Sequence, residues 1–201
     1  MKNKIPTLLI LFRFIIGLVI IYLSLIQIDH YQTIIVILLS IGLLTDIFDG
    51  IIARQLNIST QKLRRLDSTV DQIFFISVIV ATYIQCPTFF KANMYKLIIL
   101  IAFEALTYLT SFLKFKKEIA THSIGAKIWT LILFATLIQI ILQCESILLF
   151  NLCFWVGLLT RIEIIAIILI LKKWTNDVPT FYHALKLRQG KTIKRNKLFN
   201  G

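Results

Sequence analysis

Acidic residues are scarce in this 201-residue chain, where ten Asp and Glu stand against 22 Lys and Arg and give a formal net charge of +12. Hydrophobic residues make up 58% of the sequence, and the mean hydropathy is +0.83. Because soluble domains are about 45–50% apolar, the composition argues against a soluble single domain. In so apolar a chain, a basic balance indicates cytoplasmic loops that face anionic lipid rather than a nucleic-acid partner.

Cysteine is also rare, and the three cysteines fit no metal-binding spacing. Cys86 and Cys144 both fall near predicted outer helix ends, so a disulfide is conceivable, but we expect free thiols there and a core position for Cys153. No cleavable signal peptide is expected, because the first apolar run is too long for one and lacks a small-residue cleavage site.

Six apolar segments are each long enough to cross a bilayer whose hydrocarbon core is about 30 Å thick. They cover about 7–28, 33 to the polar loop near 55, 66–85, 95–115, 124–142 and 147–171. We therefore predict an all-α integral membrane protein with six transmembrane helices. Lys and Arg concentrate in the N-terminus, the 2–3 loop, the 4–5 loop and the tail, so the positive-inside rule predicts that both termini are cytoplasmic.

The chain divides into a predicted catalytic membrane domain, 1–172, and a basic tail, 173–201. Between Asp177 and Gly190 the tail has the pattern of a short amphipathic helix, with Phe181 and Leu185 on its apolar stripe. Aromatic residues are not interleaved with the basic end of the tail, so anchoring to anionic membrane lipid is favoured over nucleic-acid binding.

Four of the ten acids lie in one stretch between residues 46 and 71. Asp46 and Asp49 are three residues apart and share a helix face, and Asp67 and Asp71, four apart, share a face of a second helix. Two such helices facing each other form an all-oxygen site suited to one or two hard divalent cations, Mg²⁺ or Mn²⁺. A bound cation would also compensate carboxylates that are costly at membrane depth.

Small residues accompany the first acid pair. Gly50 and Ala53 lie on the same helix face as Asp46 and Asp49, and their lack of bulk allows a large ligand such as a nucleotide to approach the backbone. Arg54 follows directly and supplies a fixed positive charge for phosphate.

This stretch resembles the signature of the CDP-alcohol phosphatidyltransferase family, D-x2-D-G-x2-A-R-x8-G-x3-D-x3-D. Seven of its eight fixed positions match, namely Asp46, Asp49, Gly50, Ala53, Arg54, Asp67 and Asp71. Leu63 stands where the family has its second glycine, so this side chain must turn away from the nucleotide pocket or narrow it. Six helices is also the fold that the resemblance implies.

The resemblance implies transfer of a phosphatidyl group from CDP-diacylglycerol to a small alcohol or alcohol phosphate, with release of CMP. All four acids are expected to serve as metal ligands, and Asp71 also as the base that takes the proton of the acceptor hydroxyl. The expected location is the inner (plasma) membrane, with the site at its cytoplasmic face. A homodimer is left open.

Two flanking stretches resemble phosphatidylglycerophosphate synthases and favour glycerol 3-phosphate as the acceptor. They are Ile5 to Arg13 and Ala126 to Thr130. Arg13 either reaches the membrane interface or points into the site to meet phosphate, and Lys127 either binds an acceptor phosphate or is a plain interfacial lysine. Inositol phosphate, inositol and serine remain alternative acceptors.

Three further ionisable residues fall inside the later segments: Glu104, Arg161 and Glu163. Arg161 and Glu163 do not share a helix face, so each needs another partner, and a structural ion pair is favoured over cavity lining. An alternative of another class is a membrane scaffold or cation path that uses the four Asp residues. That alternative leaves Gly50, Ala53 and Arg54 without a role.

Overall fold

The structure is a computed structural model that describes residues 5–56, 60–117 and 123–193, apart from the side chains of Arg54, Gln61, Lys62 and Arg64. Within these residues all regular secondary structure is helical. The helices are α1 (Ile5–Ile26), α2 (Tyr31–Gln55), α3 (Gln61–Gln85), α4 (Pro87–Ala92), α5 (Met94–Phe115), α6 (Ile124–Gln143), α7 (Ile147–Ile170) and α8 (Phe181–Arg188).

Six of the described helices are long and apolar enough to cross a membrane, which confirms the predicted number of transmembrane segments. These are α1, α2, α3, α5, α6 and α7. Many of their large hydrophobic side chains are exposed on the protein, as a lipid-facing surface requires. The cytoplasmic location of the two termini stays a prediction.

Two details differ from the sequence prediction. Helix α3 begins at Gln61, five residues before the expected start, because the Thr60 hydroxyl caps it by accepting a hydrogen bond from the Leu63 N–H at 3.2 Å. Leu63 is thus a half-buried residue of the first turn. The six-residue helix α4 was not predicted; Pro87 occupies its first position, where proline is tolerated.

The chain forms two compact units. Unit 1 contains α1, α2, α3, the start of α4 and the end of α6, and unit 2 contains the rest of α4, α5, α7, α8 and the rest of α6. In unit 1, α1 packs against both α2 and α3. Most of its buried residues follow a spacing of three or four positions and form one stripe, which includes Ile10, Arg13, Ile16, Gly17, Ile20 and Leu23.

Glycines allow the helices of unit 1 to approach closely. A Cβ added to Gly17 would lie 3.2 Å from the Ser77 Oγ and 3.5 Å from the Phe74 Cα, so the backbones of α1 and α3 are nearly in contact. A Cβ added to Gly42 of α2 would overlap the ring of Phe74, which is 1% exposed. The ring of Phe74 therefore needs the glycine of α2.

A disulfide joins Cys86, at the end of α3, to Cys144, which follows α6, and lies entirely within unit 1. The expectation of free thiols at these two positions is wrong. The residues are 58 apart in the chain but their Cα atoms are 5.2 Å apart, a proximity that the sequence does not reveal. Cys153 is a free, buried thiol, as expected.

In unit 2, α5 packs against α7, and the predicted tail helix forms as α8 and packs against α7. A small core fixes α8 in place and consists of Ile167, Leu171, Val178 and Ala184. Phe181, Tyr182 and Leu185 of α8 are exposed. The tail helix thus buries one residue, Ala184, and presents aromatic and aliphatic side chains to its surroundings.

We expect Gly42→Ala to lower the melting temperature of the detergent-solubilised protein. Alanine favours a helix by about 1 kcal/mol relative to glycine, but overpacking a core costs about 1–3 kcal/mol. Gly17→Ala is the matched control, because its nearest neighbour, the Ser77 hydroxyl, can shift by a few tenths of an ångström. A Gly42→Ala protein as stable as the wild type would contradict the close packing of Phe74 on α2.

Candidate active site

The acidic side chains of α2 and α3 converge in unit 1. Asp46, Asp49 and Asp67 each offer a carboxylate oxygen, and these three oxygens lie within 4.8 Å of one another. Asp49 is 2% exposed, whereas Asp46 and Asp67 are 35% and 29% exposed. The spacing of each pair on its own helix brings the side chains to the facing surfaces of α2 and α3. We call these three residues the acid triad.

Asp71, the fourth acid, lies one turn beyond Asp67 on α3 and is 28% exposed. It is not one of the three acids whose oxygens lie within 4.8 Å of one another, but its Oδ1 is ion-paired with Arg13. Asp71 is thus joined to the triad through the guanidinium group of Arg13.

Arg13 of α1 contacts all four carboxylates. Its Nη1 lies 3.1 Å from Asp46 Oδ1 and 3.2 Å from Asp67 Oδ1, and it is also ion-paired with Asp71. Its Nη2 donates a hydrogen bond to Asp49 Oδ2. Arg13 is 1% exposed, so of the two alternatives from the sequence, the one in which it reaches the membrane interface does not occur.

The small residues predicted beside the acids lie on α2 as expected from the helix period. Gly50 is half-buried and Ala53 is 6% exposed. Arg54 follows in the same helix, but its side chain lies outside what the structure describes. A nucleotide-binding role for these three residues stays a prediction.

The donor set of the triad fits a hard divalent cation. Mg²⁺ and Mn²⁺ prefer oxygen ligands, and carboxylates from two helices supply at least three of them in a small volume. Arg13 is one positive partner of the four acids, and a bound cation would add another positive charge beside it.

A second polar cluster lies in unit 2. The Nε of Arg161 on α7 lies 2.5 Å from Glu104 Oε2 on α5, which gives the ion pair that the sequence analysis favoured. The Arg161 guanidinium also lies over the Trp129 ring, 3.9 Å from its centroid. Glu163 has a different partner, the N–H of Phe181 at the start of α8.

The sequence assigns no role to Trp129. Its Nε1 donates to the Cys153 carbonyl at 3.0 Å. A Cβ added to Gly157 would lie 2.7 Å from that nitrogen, so the glycine makes room for the indole. Lys127 is an exposed residue in the first turn of α6, and its predicted role in binding acceptor phosphate stays a prediction.

Breaking the Arg161 ion pair tests its structural role. Glu104→Gln leaves the guanidinium without its carboxylate and should lower the free energy of unfolding by about 2 kcal/mol, between the values of surface and buried pairs. The Glu104→Gln/Arg161→Gln double variant should lose less than the sum of the two single variants. Additive losses in thermal melts would show that the pair is not coupled.

No curated protein and no solved structure matches this chain significantly. A family model does match over residues 3–176, nearly the whole chain and both clusters described above, and its description is CDP-alcohol phosphatidyltransferase. On that match the chain belongs to the CDP-alcohol phosphatidyltransferase family, whose members are membrane enzymes that transfer a phosphatidyl group from a CDP-alcohol to an alcohol.

Proposed function

We propose that the protein transfers the phosphatidyl group of CDP-diacylglycerol to glycerol 3-phosphate and releases CMP. The observation that carries this proposal is the convergence of Asp46, Asp49 and Asp67 from two helices, since these acids occupy the matching positions of the family signature. The two stretches that resemble phosphatidylglycerophosphate synthases support glycerol 3-phosphate over other acceptors.

In this proposal Asp46, Asp49 and Asp67 would hold Mg²⁺ or Mn²⁺, which when bound would supply positive charge to the pyrophosphate of the donor. Gly50 and Ala53 leave space for the nucleotide along α2, and the positive charge of Arg54 is proposed to serve phosphate. Leu63, in the first turn of α3, does not interrupt the helix that carries Asp67 and Asp71. The departure from the family glycine is thus compatible with the placement of both acids.

Asp71 is the proposed base. Its carboxylate is 28% exposed and close to the triad through Arg13, so it can meet both a soluble acceptor and the donor phosphate. It takes the proton of the acceptor hydroxyl as the hydroxyl oxygen attacks the phosphorus that carries diacylglycerol. The bond from that phosphorus to the CMP oxygen breaks, and CMP leaves with the electron pair.

We further propose that the site faces the cytosol. Asp67 and Cys86 lie on one transmembrane helix about 28 Å apart at 1.5 Å per residue, so they are near opposite membrane surfaces. Disulfides persist in oxidising compartments, and the Cys86–Cys144 bond thus supports an outer location for that end of α3. The exposed Phe181, Tyr182 and Leu185 of α8 support its anchoring at the inner lipid surface.

A cation path through the membrane is the alternative function. It uses the same four carboxylates, but predicts that they bind a cation with no effect of a nucleotide and gives no reason for Gly50, Ala53 and Arg54. The match over residues 3–176 favours the transferase.

Release of CMP tests the proposal. Purified protein in detergent with Mg²⁺ or Mn²⁺ should release CMP from CDP-diacylglycerol when glycerol 3-phosphate is added. Asp71→Asn removes the base and should slow release about 10²- to 10⁴-fold. Asp29→Asn is the matched control, because Asp29 is exposed in the link between α1 and α2. Absence of acceptor-dependent release from the wild type would overturn the proposed donor, and unchanged release from Asp71→Asn would overturn its role.

Lys127→Gln tests the acceptor. If Lys127 binds the acceptor phosphate, the substitution should raise the KM for glycerol 3-phosphate about tenfold or more and leave the KM for CDP-diacylglycerol unchanged. Lys191→Gln, an exposed lysine of the tail, serves as the control. Inositol and serine carry no phosphate, so higher turnover with either of them than with glycerol 3-phosphate would identify a different acceptor.

A further inference from the structure

Arg13 is a positively charged group that already contacts the acids of unit 1. One side chain of α1 reaches every carboxylate of the site: Asp46, Asp49, Asp67 and Asp71. It is 1% exposed, so its charge depends on these acids for compensation. The electrostatic potential at the triad therefore includes the positive charge of Arg13.

A divalent cation bound to the triad would occupy the same space as the Arg13 guanidinium. The ligand oxygens of the triad lie within 4.8 Å of one another, and Arg13 nitrogens lie 3.1 Å from Asp46 and 3.2 Å from Asp67. Two positive charges confined to so small a volume repel each other strongly, because the guanidinium is 1% exposed and solvent screens its charge poorly. Either the guanidinium moves away or the cation binds more weakly than the carboxylates alone would allow.

The hydrogen bonding of the Arg13 guanidinium is incomplete. The Nε of Arg13 is buried and makes no hydrogen bond to any residue that the structure describes. Asp46, Asp67 and Asp71 are about one-third exposed, so a cation can approach them from the open side, whereas Arg13 is enclosed. These three carboxylates can thus exchange one positive partner for another without first becoming accessible.

We propose that Arg13 competes with the divalent cation for the carboxylates of Asp46, Asp49, Asp67 and Asp71. The release of the Arg13 guanidinium from these carboxylates then sets the affinity of the protein for the cation. The inference rests on the proposed function only in taking the triad as a cation site. Its alternative is that Arg13 holds the four acids in position for the cation. The two roles predict opposite changes when the guanidinium is removed.

Binding of Mn²⁺ to the full-length protein in detergent at pH 8, without nucleotide or lipid substrate, distinguishes these roles. Free Mn²⁺ is measured by electron paramagnetic resonance, so the result does not depend on catalysis. Arg13→Gln removes the competing charge and should lower the Kd for Mn²⁺ about tenfold or more. An equal or higher Kd would overturn the proposal and assign Arg13 the holding role.

Two further variants control for folding. Arg13→Lys keeps the charge but replaces the planar fork with a single point charge that contacts fewer carboxylates, so its Kd should fall between those of Arg13→Gln and the wild type. If Arg13→Gln does not fold, a Kd of Arg13→Lys no lower than that of the wild type overturns the proposal. Arg161→Gln, a substitution of another salt-bridged arginine, should leave the Kd unchanged.

CMP release from the same wild-type preparation separates this inference from the proposed function. Normal release together with an unchanged Kd in Arg13→Gln would overturn the competition and leave the transferase standing. Tighter binding in Arg13→Gln without CMP release from the wild type would support the competition and overturn the proposed donor.

Discussion

A guanidinium that is 1% exposed needs anions around it, and in unit 1 those anions come from two other helices. The charge on Arg13 can be buried only where α1, α2 and α3 meet. Burial of Arg13 therefore depends on the packing of these three helices against one another. In this apolar chain with few acids, four acids thus surround one arginine.

Close packing is the second requirement for this arrangement. The long side chain of Arg13 reaches acids on both neighbouring helices only if α1 lies against each of them. Gly17 removes bulk between α1 and α3, and Gly42 gives the ring of Phe74 its space between α2 and α3. In a membrane, where helices gain little from the hydrophobic effect, such small residues favour association through contact.

In unit 2, fewer groups compensate the charge of a buried arginine. Arg161 is compensated by one carboxylate, Glu104, and by the face of Trp129, while Glu163 accepts from the backbone of α8. This cluster has one acid for its arginine, whereas the cluster of unit 1 has four. Three carboxylate oxygens within 4.8 Å of one another are found in unit 1, and such a group could hold a metal ion.

The sequence was informative wherever a local pattern carried the signal. Six apolar runs predicted six helices, and the spacing of Asp46, Asp49 and Asp67 predicted acids on the facing surfaces of two helices. The contacts of Arg13 could not be assigned from sequence, since its partners are up to 58 residues away. An arginine at this position could also reach either the membrane interface or the site. Helix α4 is too short to show a period, and nothing near Trp129 indicated its contact with Arg161.

The disulfide between Cys86 and Cys144 has a consequence for the covalent topology of the chain. It closes a ring that contains α4, α5 and α6. If one peptide bond inside the ring is cut, the fragment that carries Arg13 and the four acids stays joined to the fragment that carries α7 and α8. A protease that nicks this region leaves a single covalent molecule until a reductant is added, and two separately synthesised halves could be rejoined by the same bond.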